Sequence, residues 1–509
     1  MTDCKLFLVA GALALAPYAA ASGLDATGAD LAIRGATVIS AERVAPLPHA
    51  TVLIKDGRIV AVTADPVAGT AVSEIQANGK FLTPGLIDGH VHLYHATGLK
   101  RRYTQAFDAL YAAYLEQLPR SLLYYGYTTV IELNADAETN ARFTAAPDHP
   151  RLYHCSQGLI LHNGFMAGES SPDDLAKQYP NYLHDHYGSE PLPKGAVAAA
   201  HTPQAAVAAI ASAGGRCVKM YYEEALWSPD GPRRHALPSE AIIRDVVAAA
   251  HARRMPVVLH ATTPKGHRIG MATGVDILAH GLWEWPGVPY DDPRLPAEIA
   301  GIVDREAAAK IGVQPTMRTL RNTSSMFDPA SLTDPALDDV LPAAFVRYLR
   351  TEAQVQRGMF LKMFAPLMKP GAGAGDMRNL QLTFNRRYEQ LIGRMHAHGA
   401  NLLFGTDTAV GGFGWGNPPG LNGFWEMQGW LRAGVPLPTI FEAATLRNAR
   451  AFGLDLDVGT IEPGKSADLL LMDRNPLETI DAYRAISLVV LEGKALSRAA
   501  LSARVTQAH

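Results

Sequence analysis

Six residues in this chain are of types that hold metal ions or move protons, and their spacing gives them a common direction. His90 and His92 lie in Pro84-Gly85-Leu86-Ile87-Asp88-Gly89-His90-Val91-His92. In an extended strand residues i and i+2 share a face, so the two imidazoles can converge on one ion. Lys219 lies in Cys217-Val218-Lys219-Met220-Tyr221-Tyr222, and His260 ends Pro256-Val257-Val258-Leu259-His260. His280 ends Asp276-Ile277-Leu278-Ala279-His280, and Asp407 ends Phe404-Gly405-Thr406-Asp407. Imidazole and carboxylate are ligands of hydrolytic metal centres, where an ion activates water and polarises a carbonyl. Taken singly, these residues also read as satisfied core histidines, a strand-end lysine and a turn aspartate. Six of them at the same ends of successive strands make that account a poor one.

The elements that must position them are strands. Eight strand-like runs are read at Leu82–His92, Tyr127–Leu133, Arg151–Leu159, Arg216–Tyr222, Pro256–Thr262, Val275–Gly281, Ile311–Met317 and Asn401–Asp407. Each is followed by an Ala-rich segment of helical character. Eight alternating β and α units predict an α/β fold, the (β/α)8 TIM barrel, whose catalytic face lies at the C-terminal strand ends. A doubly wound open sheet would want a Gly-rich phosphate turn after its first strand, and none is there.

The flanking segments alternate with the period of strands. Lys55-Asp56-Gly57-Arg58 reads as a tight hairpin turn between Thr51–Ile54 and Ile59–Val62. A similar style recurs at Ala467–Met472 and Ser487–Leu491. Neither segment has apolar surface enough to fold alone, so the two are expected to pack as one small β-sandwich. The expected division is a signal peptide at 1–21, the N-terminal sandwich part at 22–80, the barrel at 81–455 and the C-terminal sandwich part at 456–509. Two connections, 163–200 and 318–400, exceed ordinary loop length and leave the catalytic face. A lid or pocket role is read for both, and for 318–400 simple core packing accounts equally well.

In combination these motifs resemble the amidohydrolase superfamily of metal-dependent hydrolases, and within it the dinuclear group of imidazolonepropionase-like and Xaa-Pro dipeptidase-type members. The resemblance spans PGLIDGHVH, the strand-four lysine, HATTPKG, AHG, FGTDT, the run Glu442–Arg450 and the GTIEPGKSADLLLMDRNPL tail. It implies two divalent ions, zinc being the expected metal. His90, His92 and Asp407 would hold the more buried ion, and His260 and His280 the more exposed one. Lys219 would be carboxylated to a carbamate bridging both, since two anionic oxygens suit a dication pair that an ammonium would repel. An uncarboxylated lysine beside a single-metal site is the alternative. The implied chemistry is attack of a metal-bridging hydroxide on a carbonyl, with Asp407 shuttling the proton to the leaving amine.

Substrate clues are fewer. His162 stands where dipeptidase-like relatives carry a substrate-contacting histidine, although a backbone-capping loop histidine reads equally well. Tyr221 shares the face of Lys219 and either reaches the pocket or packs on the barrel wall. Trp283 and Trp285 follow His280 and give the mouth an aromatic wall, with Glu284 between them. Together these lean toward a bulky or aromatic acyl or amino-acid group. The expected function is hydrolysis of amide bonds in dipeptides or N-acyl amino acids. Cyclic amides, lactones or other esters are the alternative, and a non-catalytic metal-binding protein is a second one.

The 509 residues are 48% hydrophobic and 19% charged, which excludes general disorder. Lys and Arg number 46 against 49 Asp and Glu, without a basic cluster, so no nucleic-acid partner is expected. The expected partner is a small-molecule amide, and a homo-oligomer stays open. Lys5, the apolar run Leu6–Pro17 and Ala19-Ala20-Ala21 fit a cleavable export signal, hence a periplasmic or secreted protein with no stable membrane span. A misassigned start with an apolar leader is the alternative. Once Cys4 leaves with the signal, Cys155 and Cys217 remain. An oxidising compartment permits a bridge, but two buried thiols are the expectation.

Overall fold

A computed structural model describes residues 24–99, 104–167, 179–224, 235–289, 292–327, 329–365, 371, 373–409 and 416–505. The leader read as an export signal lies outside the described residues. Five strands come first: β1 (Leu31–Val38), β2 (Leu47–Lys55), β3 (Arg58–Thr63), β4 (Ser73–Gln76) and β5 (Phe81–Pro84). The β2–β3 turn is where the sequence puts it. Asp56 and Gly57 both take left-handed backbone, with φ of 48° and 71°, the conformation that a two-residue hairpin matched to strand twist demands.

Eight strands follow in the central part: β6 (Leu86–Val91), β7 (Tyr127–Glu132), β8 (Arg151–His154), β9 (Val218–Tyr222), β10 (Val257–Ala261), β11 (Ile277–Ala279), β12 (Gly312–Gln314) and β13 (Asn401–Leu402). They form two all-parallel sheets, β6-β7-β8 and β13-β12-β11-β10-β9. Parallel bridges Leu159–Met220 and Val91–Thr408 lay each edge of the shorter sheet against an edge of the longer one. Helices occupy the connections, and several are started by a side chain that accepts from the first turn. Thr104, Asp136, Thr202, Ser239 and Thr263 do this for Gln105–Tyr124, Ala137–Thr144, Pro203–Ser212, Glu240–His251 and Pro264–Thr273.

The expected first run, Leu82–His92, is two strands, not one. Phe81–Pro84 belongs to the end sheet, and pairing with the central strands begins at Leu86. A side chain on the intervening Gly85 would fall 1.8 Å from the Thr128 hydroxyl, so the chain passes there only as glycine. After the centre come β14 (Leu469–Met472), β15 (Ile486–Leu491) and β16 (Lys494–Ser497). Both flanking segments enter one hydrogen-bonded sheet of mixed direction, β16-β15-β14-β5-β1-β2-β3, with β4 beside β1. Strands from both flanks thus share one sheet.

Strand alternation sorts the central side chains into two layers. Val257, Leu259 and Ala261 of β10 belong to the core shared with the helices. Val258 faces the other way, into a cluster with Ile87, Ile131, Cys155, Cys217, Ile277 and Leu403. Cys155 and Cys217 are joined by a disulfide within that inner cluster, Cα atoms 4.5 Å apart. This corrects the expectation of two free thiols. Parallel neighbours β8 and β9 bring the two positions together, a proximity that a separation of 62 residues conceals.

Candidate metal centre

The inner layer sets the site one step above the disulfide. Lys219 follows Cys217 by two residues and His260 follows Val258 by two, so both turn inward, Lys219 as the second residue of β9 and His260 near the C-terminal end of β10. His280 and Asp407 lie just past their strands in left-handed backbone, with φ of 78° and 55°. Such non-glycine conformations cost roughly 1–3 kcal/mol each and cluster at functional sites, where they re-aim a side chain.

His90, His92 and Asp407 form one group whose ligand atoms all lie within 4.8 Å of one another. Asp407 Oδ1 is 3.2 Å from His90 Nε2 and 3.1 Å from His92 Nε2. The main chain reinforces this, since Asp407 N–H donates to His90 C=O at 2.8 Å. The Thr319 hydroxyl donates to Asp407 Oδ2 at 3.0 Å. The ring of His280 lies 5.2 Å from that of His90, and the ring of His260 lies 4.5 Å from that of His280. Lys219 is 1% exposed, and its Nζ finds no hydrogen-bond partner among the described residues. All six residues singled out from the sequence therefore meet in one place.

Burial dominates the electrostatics. It lowers the Lys219 ammonium to about 7, against the opposing pull of Asp407 and Glu132. It also lowers His90 to about 3, helped by the charge of Lys219, and holds His280 well below the ordinary imidazole range. His92 goes the other way. Burial opposes its charge, but the hydrogen bonds and charges of Asp407 and Glu132 raise it to about 9. Burial thus favours the neutral imidazoles of His90 and His280, whose lone pairs, beside the Asp407 carboxylate, form a donor set that fits a metal ion. Nδ1 of the buried His90 makes no hydrogen bond among the described residues, which is costly unless something else partners it.

Several side chains at the site were not anticipated. Glu132 ends β7, fully buried, and its Oε1 lies 3.5 Å from His92 Nδ1. Thr316 Oγ1 is 2.8 Å from His280 Nδ1, and Glu223 Oε2 is 2.8 Å from His260 Nε2. The sequence held a signal for two of these. Glu132 is an acid at the end of an apolar strand, and Glu223 follows Lys219 by four residues, so both sit at the chemically active strand ends.

Of the three substrate candidates, two border the centre. Trp283 packs 4.4 Å from the His280 ring, its indole N–H donating to Tyr388 OH at 2.9 Å. Tyr221 lies 5.6 Å from the His260 ring and 5.5 Å from Lys219 Nζ. Phe165, from the long connection after β8, stacks on the same imidazole at 5.6 Å. The ring of His162 lies beside that of Tyr182 at 6.1 Å. Both long connections thus reach the centre, one through Phe165 and the other through Thr319 and Tyr388.

Comparison with known proteins agrees with this geometry. The amidohydrolase family profile matches residues 81–496. An L-hydantoinase from Paenarthrobacter aurescens is 32% identical over 104 residues, 20% of each chain. An imidazolonepropionase from Caldanaerobacter subterraneus subsp. tengcongensis is 39% identical over 54 residues, 11% of this chain and 13% of that one. The aligned stretches thus span a fifth or less of those relatives' own length. A solved Xaa-Pro dipeptidase structure with bound methionine superposes with a TM-score of 0.61 at 17% identity, covering 92% of this chain and 99% of that one, and so shares the fold. The chain belongs to the amidohydrolase family.

Proposed function

We propose that the protein is an exported dinuclear amidohydrolase that cleaves the amide bond of dipeptides or N-acyl amino acids carrying a bulky or aromatic group. The convergence of His90, His92, Lys219, His260, His280 and Asp407 carries this reading. His90, His92 and Asp407 would hold one ion and His260 and His280 the other, zinc in each case. Lys219, as its carbamate, would lie between them. Its buried, unbonded amine supports this, because carboxylation needs the uncharged form. Two divalent ions held there supply Lewis acidity toward a carbonyl and an acidified water. The eight parallel strands would close as a (β/α)8 barrel, a reading supported by the two bridges between sheet edges.

The remaining work falls to the chain's own groups. Asp407 takes the proton released as water attacks the acyl carbon, then gives it to the leaving amine, which could not otherwise depart as a neutral group. Thr319 holds Oδ2 of that carboxylate and leaves Oδ1 facing the imidazoles. Trp283, Phe165 and Tyr221 flank the histidines and offer aromatic surface to the group beside the scissile bond. Export is supported by the Cys155–Cys217 disulfide, since such bonds persist in oxidising compartments.

The test is a hydrolysis screen of the zinc-loaded protein on dipeptides, N-acyl amino acids and lactones. Release of amine, fastest from substrates with aromatic groups, is expected. Cleavage confined to lactones would overturn the amidase reading, and bound metal without hydrolysis would make this a binding protein.

A further inference from the structure

Glu223 is left unused by the reading above. It follows β9, is 2% exposed and belongs to no ligand set. Its Oε2 lies 2.8 Å from His260 Nε2 and accepts from the Thr262 hydroxyl at 3.3 Å. The same hydroxyl lies 3.2 Å from Glu284 Oε1. A carboxylate oxygen of this kind accepts, so the hydrogen of the His260 ring belongs on Nε2. The lone pair of the neutral imidazole is then on Nδ1.

The neighbouring ligand is set the opposite way. At His280 it is Nδ1 that faces a protein oxygen, Thr316 Oγ1 at 2.8 Å; with the Nδ1–H donating to that hydroxyl, the lone pair of the neutral imidazole is on Nε2. The two rings meet edge to face, with an interplanar angle of 78° and centroids 4.5 Å apart. Phe165 and Tyr221 pack 5.6 Å from the His260 ring, which opposes a flip exchanging its nitrogens.

We propose that Glu223 is a positioning residue for the second ion: it fixes the His260 tautomer, so that His260 binds through Nδ1 while His280 binds through Nε2. The proposal rests on the two-ion reading. A carboxylate on the far nitrogen also makes imidazole a stronger donor, and losing such a partner typically costs 10–100-fold in metal affinity. Glu223 acts through His260 and has no contact with substrate in this role.

Metal content and affinity test it directly. Wild-type and Glu223→Gln proteins are stripped of metal, titrated with Zn2+ against a chromogenic chelator and analysed for bound metal. The expectation is that the variant keeps its tighter ion and binds the second 10–100-fold more weakly. Glu223→Asp, which restores an acceptor on a shorter arm, should recover part of the loss. Two ions at wild-type affinity in Glu223→Gln would overturn the proposal, as would equal weakening of both. Should the variant fail to fold, a crystal structure of the zinc-loaded wild type decides. Zinc on Nδ1 of His260 supports the proposal, and zinc on Nε2, with Glu223 displaced, refutes it. Wild-type protein that binds only one zinc would instead refute the two-ion reading itself.

Discussion

Asp407 faces three partners at once: Thr319 at Oδ2, and His90 and His92 at Oδ1. A carboxylate so fixed cannot rotate away from the reacting atoms, and that preorganisation is what a proton shuttle needs. Replacing it by asparagine keeps shape and removes the proton acceptor. Asp407→Asn is expected to lower kcat by roughly 10²–10⁴ while substrate binding persists. Steady-state kinetics beside equilibrium binding of a slowly cleaved substrate check this, and a near-normal kcat refutes the role. Lys219 makes a separate prediction. Lys219→Ala should bind fewer than two metals per chain by elemental analysis, and a full complement would sink the bridging carbamate.

At the scale of elements, the sequence was legible where a periodicity or a turn carried the signal. The six ligand-type residues were legible because each lies within or ends a short apolar run, and all eight central strands exist close to where those runs lie. Their ends were less legible. Ile311–Met317 reads as one strand, but Met317 opens a helix, because its N–H and that of Arg318 are claimed by the buried carboxylate of Glu426. No local pattern announces a partner 109 residues away. Thr316 and Thr319 escaped notice for the same reason, since their roles depend on which strand end lies next to which. The end sheet joins elements from both flanks, which sequence style alone suggested, but its register came only from pairing. The Trp283 wall is likewise an element-scale construction. Tyr388, on the helix Ala374–Ala397, accepts from Trp283 and donates to Pro315 C=O, passing where a side chain on Gly281 would be 1.9 Å from its hydroxyl. Gly281→Ala should therefore destabilise the protein by roughly 1–3 kcal/mol through overpacking. It should also raise KM for aromatic substrates more than for small ones. Urea unfolding and a paired kinetic comparison read the two effects, and an unchanged midpoint would contradict the packing.

For the whole molecule, the disulfide is the covalent tie within the inner layer. It closes a loop with a separation of 62 residues, for which chain-entropy arguments give roughly 4 kcal/mol. The double substitution Cys155→Ala, Cys217→Ala is expected to lose about 2–5 kcal/mol. Its urea midpoint should match that of the wild type in reductant, whereas an unchanged midpoint would show the bond to be idle. Among the described residues no helix is long and apolar enough to cross a membrane.

The pairing of β5 with β14 bears on the order in which this protein can be assembled. Phe81–Pro84 is hydrogen-bonded residue for residue to Leu469–Met472, and one residue further on begins the strand that delivers His90. A ribosome makes that first strand nearly four hundred residues before its partner. While the chain is being made, the segment leading into the first metal ligands has no β14 to hold it. Metal loading should thus be among the last events in the protein's maturation, and a chain cut short before residue 469 should be a poor receptor for metal even with all six ligands present.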